Sequence, residues 1–329
     1  MTYPEFIALW RDESPLCPVH TSGSTGSPKQ IMLPKSMMRL SALRTVAFFG
    51  LSEADRLHSC ISPDFIGGKM MAVRSEVCGL RLTWETPSNH PEIPCANPDD
   101  APALVAVVPS QMLHVLERPD LLLMDSTIWL IGGAPIDADL RRRIATSPLK
   151  AWESYGMTET ASHIALRRVA YPPQPFHPLP GIEVATDERG CLTITQPLGA
   201  TLPDGSQATE QIVTNDIVDL HPDGSFTLRG RADNVIITGG RKVHPEELES
   251  RLQPLLAPLG ITAVMISSIP DPKWGAAVLL IIEWPDCAGH PPMERVQEIC
   301  RTALQPHEVP KSYRPIPEPV YYTHLRAHE

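Results

Sequence analysis

The sequence predicts an α/β protein: a large N-terminal α/β domain that includes a section of antiparallel hairpins, then a small α/β C-terminal domain. Three observations predict it. Across residues 16–150, short apolar runs alternate with amphipathic stretches, as parallel strands joined by crossover helices do. From about 180 to 230 the texture becomes period-two alternation around glycine-containing turns. After Arg231, strand and helix patterns return. The boundary expected from this change divides the chain into 1–230 and 231–329.

The elements follow in order. Apolar runs at 17–20 (CPVH), 103–108 (ALVAVV) and 126–131 (STIWLI) read as buried strands. Amphipathic stretches at 35–49, 67–78, 110–117 and 137–146 read as helices. Gly50 and Gly79 sit where helix C-caps belong, and Ser110 where an N-cap belongs. EVATDERGCLTIT alternates around Glu188-Arg189-Gly190, and DIVDLHPDGSFTLRG around Pro222-Asp223-Gly224, which predicts two hairpins. NVIITGG leads to a helix at 245–253, with Pro245 in its first turn and Glu246 and Glu247 suiting the helix dipole. A strand pair at 262–269 and 277–284 and a helix at 293–304 complete the small domain.

Composition excludes several classes. Twenty-eight Lys and Arg against 38 Asp and Glu leave a net charge of −10, which argues against a nucleic-acid binder. The longest apolar runs, such as AAVLLII at 276–282, fall far short of the ~18 residues a membrane span needs. The N-terminus, MTYPEFIALWRDES, has no basic n-region, so a cytoplasmic location is expected. The seven cysteines are scattered with no C-x-x-C pair, which argues against a disulfide framework and structural zinc. The 36 prolines are spread along the chain and mark turns rather than a disordered tract.

One loop carries chemistry. TSGSTGSPK at 21–29 follows the strand at 17–20 and precedes the helix at 35. Gly23 and Gly26 permit backbone conformations closed to other residues. The hydroxyls of Thr21, Ser22, Ser24 and Thr25 can donate to oxyanions, Lys29 adds a positive charge, and backbone N–H groups in such a turn form an anion nest. The Walker A pattern is absent.

This loop resembles the phosphate-binding loop of the adenylate-forming superfamily, which holds acyl- and aryl-CoA ligases, peptide-synthetase adenylation domains and luciferases. Four further segments follow in that family's order. GGAPI, with Gly132, Gly133, Ala134 and Pro135, resembles the adenine-binding segment. YGMTET at 155–160 resembles the catalytic motif, and Asp216 in TNDIVDL the ribose-binding aspartate. GRADNVIITGGRKVHPEELE at 230–249 resembles the hinge and the start of a mobile C-terminal domain.

The resemblance implies a two-step ligase that uses ATP, Mg²⁺ and coenzyme A on a small carboxylic acid. It implies Glu159 as the Mg²⁺ ligand, Thr158 as a donor to the α-phosphate, and Tyr155, with Gly156 beside it, against adenine. Asp216 would bind ribose, Arg231 would assist at ribose or phosphate, and Asp233 would be the hinge. Gly239 and Gly240 would line the pantetheine tunnel. Within SPDFIGGKMMAVR at 62–74, Gly67 and Gly68 leave room for a ring, and Lys69 or Arg74 offers a cation to a second carboxylate. These features most resemble short o-succinylbenzoate–CoA ligases of menaquinone biosynthesis. A CoA ligase for another aromatic or aliphatic acid, and a nucleotide-binding remnant, remain the alternatives.

Two departures stand out. Only about 20 residues precede the phosphate loop, so the core is expected to be shortened at its N-terminus. The C-terminus reads PIPEPVYYTHLRAHE, without the family's late Gly-Lys motif; Lys311 comes too early, so the tail is expected to be truncated or aberrant.

Overall fold

The computed structural model describes residues 1–21, 29–94, 101–202, 205–284, 289 and 291–317. The chain divides into two compact units. One comprises Met1–Ala185, Thr193–Val213 and Leu220–Thr227; the other comprises Thr186–Leu192, Thr214–Asp219 and Leu228–Glu329. Among the described residues, no helix is long and apolar enough to cross a membrane.

The first unit opens with α1 (Tyr3–Trp10). Thr2 and Glu5 cap it reciprocally, each side chain accepting from the other's backbone N–H. Strands β1 (Leu16–His20) and β2 (Gln30–Pro34) then pair antiparallel, Cys17 opposite Leu33 and His20 opposite Gln30. This corrects the expectation of a strand passing through the loop directly into a helix. The apolar run Ile31-Met32-Leu33 makes a second strand first, so residues 21–29 join two strands. Helices α2 (Lys35–Phe49) and α3 (Ile66–Cys78) end where expected. Gly50 (φ 65°) and Gly79 (φ 68°) adopt the left-handed conformation that only glycine reaches without a steric penalty.

A seven-stranded sheet dominates this unit. Its strands are β3 (Arg56–Ser59), β4 (Arg81–Trp84), β5 (Leu104–Val107), β6 (Ile128–Ile131), β7 (Lys150–Met157), β8 (Ser162–Arg168) and β9 (His177–Pro178). Their order is β4-β3-β5-β6-β7-β8-β9. Pairs from β4 through β7 are parallel, while β7–β8 and β8–β9 are antiparallel. Every residue of β5 is buried, as in a sheet covered on both faces. Helices α4 (Pro109–Glu117), α5 (Pro119–Leu122) and α6 (Ala138–Thr146) complete the connections. The expected cap at Ser110 is displaced: α4 starts at Pro109 after Val108, and the Ser110 hydroxyl donates to Asn89 instead. Proline suits the first turn because its missing N–H would have no helical partner there.

One apolar cluster packs Trp129, Val107 and Ile131 against Met112, Leu140 and Ile144. Another joins Phe6 and Trp10 of α1 to Met37, Met38 and Met70, with Cys17, Val19 and Ala161.

Strands β10 (Glu183–Thr186), β11 (Cys191–Thr201), β12 (Gln207–Leu220) and β13 (Phe226–Arg231) form a four-stranded sheet in that order. The turns at Gly190 and Gly224, both at positive φ, are the two expected hairpin turns. Connections so short exclude parallel pairing.

In the second unit, β14 (Ile236–Thr238), β15 (Arg241–Val243), β16 (Val264–Asp271) and β17 (Gly275–Glu283) form a sheet with order β15-β14-β17-β16. Strand β18 (Ser312–Ile316) adds to β17 in parallel. Helices α7 (Pro245–Leu256) and α8 (Met293–Ala303) bury Leu248, Leu252, Val296 and Cys300 in one cluster with Ile266, Leu280 and Ile282.

Candidate functional site

The turn between β7 and β8 carries the expected catalytic pair. The β7–β8 register shifts at Tyr155/Gly156. A side chain at Gly156 would lie 2.1 Å from the Ser162 carbonyl oxygen, so only glycine fits that approach. Ala161 (φ 53°) and Ser162 (φ 84°) are left-handed, a conformation costing about 1–3 kcal/mol each outside glycine. Thr160 holds the turn: its hydroxyl accepts from Met157 N at 2.9 Å and donates to the Ser162 carbonyl at 2.6 Å. Ser41 of α2 donates to the Ala161 carbonyl at 2.9 Å. Thr158 is buried and Glu159 half-buried. Among the described residues the Glu159 carboxylate has no hydrogen-bond or ion-pair partner; its carbonyl accepts from Gln196 at 3.4 Å.

Gly132 to Pro135 leave the C-terminal end of β6, beside β7. A side chain at Gly132 would lie 2.5 Å from the Ser154 hydroxyl oxygen, which donates to the Ile131 carbonyl. Gly133 (φ 85°), Ala134 and Pro135 are exposed. Both segments thus emerge beyond the carboxyl ends of adjacent parallel strands, where open α/β sheets bind ligands. The Tyr155 ring is buried against Phe176 and Phe226, with centroids 5.8 and 5.2 Å away.

Thr21 and Lys29 close the base of the expected phosphate loop, with Thr21 N donating to the Lys29 carbonyl at 2.9 Å. Ser22, Gly23, Ser24, Thr25 and Gly26 lie outside the described residues.

In the second unit, Arg231 joins two expected site residues. It donates to Asp216 at 3.1 Å and, through two nitrogens, to Asp233 at 3.0 and 2.8 Å. Hydrogen bonding from Arg231 holds the Asp233 carboxyl below its ordinary range. Gly239 (φ 56°) and Gly240 (φ 75°) form the two-residue turn between β14 and β15. A side chain at Gly239 would lie 2.5 Å from the Trp274 ring, while Gly240 faces open space.

The 62–74 segment behaves differently from the expected acyl pocket. A side chain at Gly68 would lie 2.2 Å from the Ser62 carbonyl oxygen, so its smallness lets backbone pass close by. At Gly67 it would meet only Ile61 in ordinary contact at 3.6 Å. Lys69 is buried, and its amine donates to the carbonyls of Pro63 (2.5 Å) and Asp64 (3.2 Å). Arg74 is 1% exposed, and burial pushes its pKa down to about 10. One of its nitrogens reaches Met71 Sδ at 3.5 Å, while Nε and Nη2 have no hydrogen-bond partner among the described residues.

The sequence pattern of the AMP-binding enzyme family matches residues 6–195. The chain belongs to that family. An acyl-CoA synthetase (AMP-forming)/AMP-acid ligase II-like protein from Dyadobacter fermentans is 32% identical; the match covers 95% of this chain and 87% of that one, with a TM-score of 0.59. A 2-succinylbenzoate–CoA ligase from Listeria monocytogenes is 25% identical over 94% of this chain and 67% of that protein. The o-succinylbenzoate CoA synthetase (MenE) from Bacillus subtilis, in complex with the acyl-adenylate intermediate OSB-AMP, shares the fold at 19% identity and a TM-score of 0.71. The alignment covers 92% of this chain and 65% of that one. The chain spans about two thirds of the length of the curated relatives it matches.

This AMP-binding enzyme also uses residues its signature segments do not contain. Gln196 supports Glu159 from β11. Its signal was a polar residue at an inward position, after Leu192 and Ile194. Glu153 anchors β7, accepting from Arg141 (2.5 Å) and Arg167 (2.7 Å) in a buried trio. No local pattern announces that trio, because its members come from α6, β7 and β8.

Proposed function

We propose that this chain is an AMP-forming acid–CoA ligase whose acid is o-succinylbenzoate. In the first step a carboxylate oxygen of the acid attacks the α-phosphorus of ATP, and the bond to pyrophosphate breaks. In the second the sulfur of coenzyme A attacks the acyl carbon and AMP leaves. The observation that carries the reading is the Glu159 carboxylate: half-buried, without a partner among the described residues, on a turn held in left-handed backbone. A carboxylate in that state fits Mg²⁺, which takes one or two carboxylates together with phosphate oxygens. Bound there, Mg²⁺ would neutralise phosphate charge.

The chain's own residues supply the rest. Thr158 donates to the α-phosphate, and Gly132 to Pro135, with Tyr155 behind them, receive adenine. Thr21 and Lys29, with the loop between them, take the outer phosphates. Asp216 accepts from the ribose hydroxyls while Arg231 orients it. Asp233, bound to the same arginine, is the hinge, and Gly239 and Gly240 border the path of the thiol. The names of the curated relatives support the choice of acid. Arg74 supports a second carboxylate on it, because two of its nitrogens lack hydrogen-bond partners among the described residues.

A pyrophosphate-release screen over a panel of carboxylic acids, with and without Mg²⁺, tests the proposal. Release should be fastest with o-succinylbenzoate and absent without the metal. Equal rates on benzoate would overturn the acid, and ATP binding without turnover on any acid would overturn the ligase.

A further inference from the structure

The β3–β4 edge of the seven-stranded sheet carries a second set of donors that the ligase chemistry does not use. The register pairs His58 with Thr83 and Ser59 with Trp84, so Cys60 and Glu85 come next. The ladder continues past both strands: Glu85 N donates to the Ser59 carbonyl and Cys60 N to the Ala106 carbonyl. Period-two alternation therefore places His58, Cys60, Thr83 and Glu85 on one face. One ligand atom from each of His58, Cys60 and Glu85 lies within 4.8 Å of the others.

Their hydrogen bonds leave lone pairs facing one another. Thr83 Oγ1 donates to the Leu57 carbonyl at 3.2 Å, so it accepts from His58 Nδ1–H at 2.9 Å. That tautomer leaves a lone pair on Nε2. Glu85 Oε2 accepts from Glu92 N at 2.8 Å. His58 Nε2 and Glu85 Oε1 are buried, have no hydrogen-bond partner among the described residues and stand 3.9 Å apart. His58 is 2% exposed and Cys60 1%. A buried pair of facing lone pairs beside a thiol calls for a cation.

We propose that His58 Nε2, Cys60 Sγ and Glu85 Oε1 form a site for a zinc-class divalent cation, distinct from the magnesium proposed at Glu159. Imidazole, thiolate and carboxylate are the donors zinc takes, at about 2.0–2.3 Å, whereas Mg²⁺ and Ca²⁺ want oxygen alone. Binding forms the sulfur–metal bond and releases the thiol proton to solvent. The Thr83 hydroxyl is a positioning group that fixes the histidine tautomer. The ion would tie the ends of β3 and β4 together, a structural role.

The test uses the full chain, stripped with chelator under reducing conditions and titrated with Co²⁺. One equivalent should produce a thiolate-to-cobalt charge-transfer absorption, which one equivalent of Zn²⁺ should bleach. Cys60→Ser should lose that absorption while keeping its circular dichroism. Glu85→Gln and Thr83→Val should keep it but weaken the affinity by about 10–100-fold; these two also carry the test if Cys60→Ser fails to fold. No absorption in the parent chain, an absorption that survives in folded Cys60→Ser, or affinity unmoved by both other substitutions would each overturn the site.

Discussion

The turn at 158–162 and the helix start at 62–74 are both expected to touch ligand, yet their ionisable groups are treated in opposite ways. Glu159 is half-buried and unpartnered among the described residues, so water can hydrate its carboxylate at little cost. Lys69 is fully buried and spends its amine on the carbonyls of Pro63 and Asp64. Arg74 lies between these cases, buried but incompletely bonded. A charge withdrawn from water must be bonded or is costly. The bonded cation therefore serves the fold, and the incompletely bonded one is the cation proposed to meet the second carboxylate of the acid.

The largest effect is expected at the unpartnered end of this comparison. Glu159→Gln keeps the size of the side chain and removes its charge. The fold should be unchanged by circular dichroism, and pyrophosphate release should fall by about 10²–10³-fold, as for the loss of one preorganised electrostatic contact. Turnover like that of the parent would mean the metal is held elsewhere.

The two cations of α3 should separate next. A charge-assisted contact to the second carboxylate contributes about 1.5–3 kcal/mol, or roughly 10–150-fold. Arg74→Met should lose that much of the preference for o-succinylbenzoate over benzoate, measured as the ratio of kcat/KM values. Lys69→Met should leave the ratio nearly alone and lower stability by about 1–3 kcal/mol, because the buried Pro63 carbonyl and the part-buried Asp64 carbonyl lose a donor. The reverse pattern would show that Lys69 leaves its carbonyls to meet substrate.

Much of this contrast was hidden in the sequence, for a physical reason. Helix ends were legible because Gly50 and Gly79 mark them locally. The strands at 104–107 and 128–131 were legible because continuous apolar runs fit a sheet buried on both faces. YGMTET was legible through its family resemblance, while the close approach of Gly156 to Ser162 is a backbone requirement that only the folded turn reveals. The fate of Lys69 was not legible, since its partners are main-chain carbonyls that any residues at 63 and 64 would supply. Nor was the meeting of His58, Cys60 and Glu85, which arises from the register of two parallel strands and leaves no fixed spacing to read. Strand β2 is not legible because its apolar run is only three residues long, set between a glycine-rich loop and a helix.

Gly67 and Gly68 sharpen the comparison at smaller scale. Together they read as room for a ring, but only Gly68 meets backbone within 2.2 Å. Gly68→Ala should lower stability by about 1–3 kcal/mol, as overpacking does. Gly67→Ala should be neutral or stabilise by up to ~1 kcal/mol, since alanine favours the helix. Urea denaturation of the two variants measures both, and similar losses would mean that both positions are tightly packed.

The smallest expected effect connects the two regions through His163, one residue past the strained turn. His163 is buried; the groups facing it are the Thr45 hydroxyl at 3.0 Å and, electrostatically, the Arg74 guanidinium. Thr45 donates to the Ser41 carbonyl, so it accepts from His163 Nε2–H. A second proton on the ring would add a charge in a place already holding an arginine. Burial first, and Arg74 second, keep the imidazole pKa well below its ordinary 6.5. The folded state thus refuses a proton that the unfolded state accepts once pH falls below about 6.5, and stability falls with pH by up to ~1.4 kcal/mol per unit. Denaturation series between about pH 7 and 5 should show that slope reduced by one proton's worth in His163→Gln. Arg74→Met should narrow the window from its acid side, because the histidine then accepts its proton at a higher pH. Parallel pH profiles for the parent and His163→Gln would mean that the ring takes up its proton over the same pH range folded as unfolded, and that neither burial nor Arg74 holds it neutral.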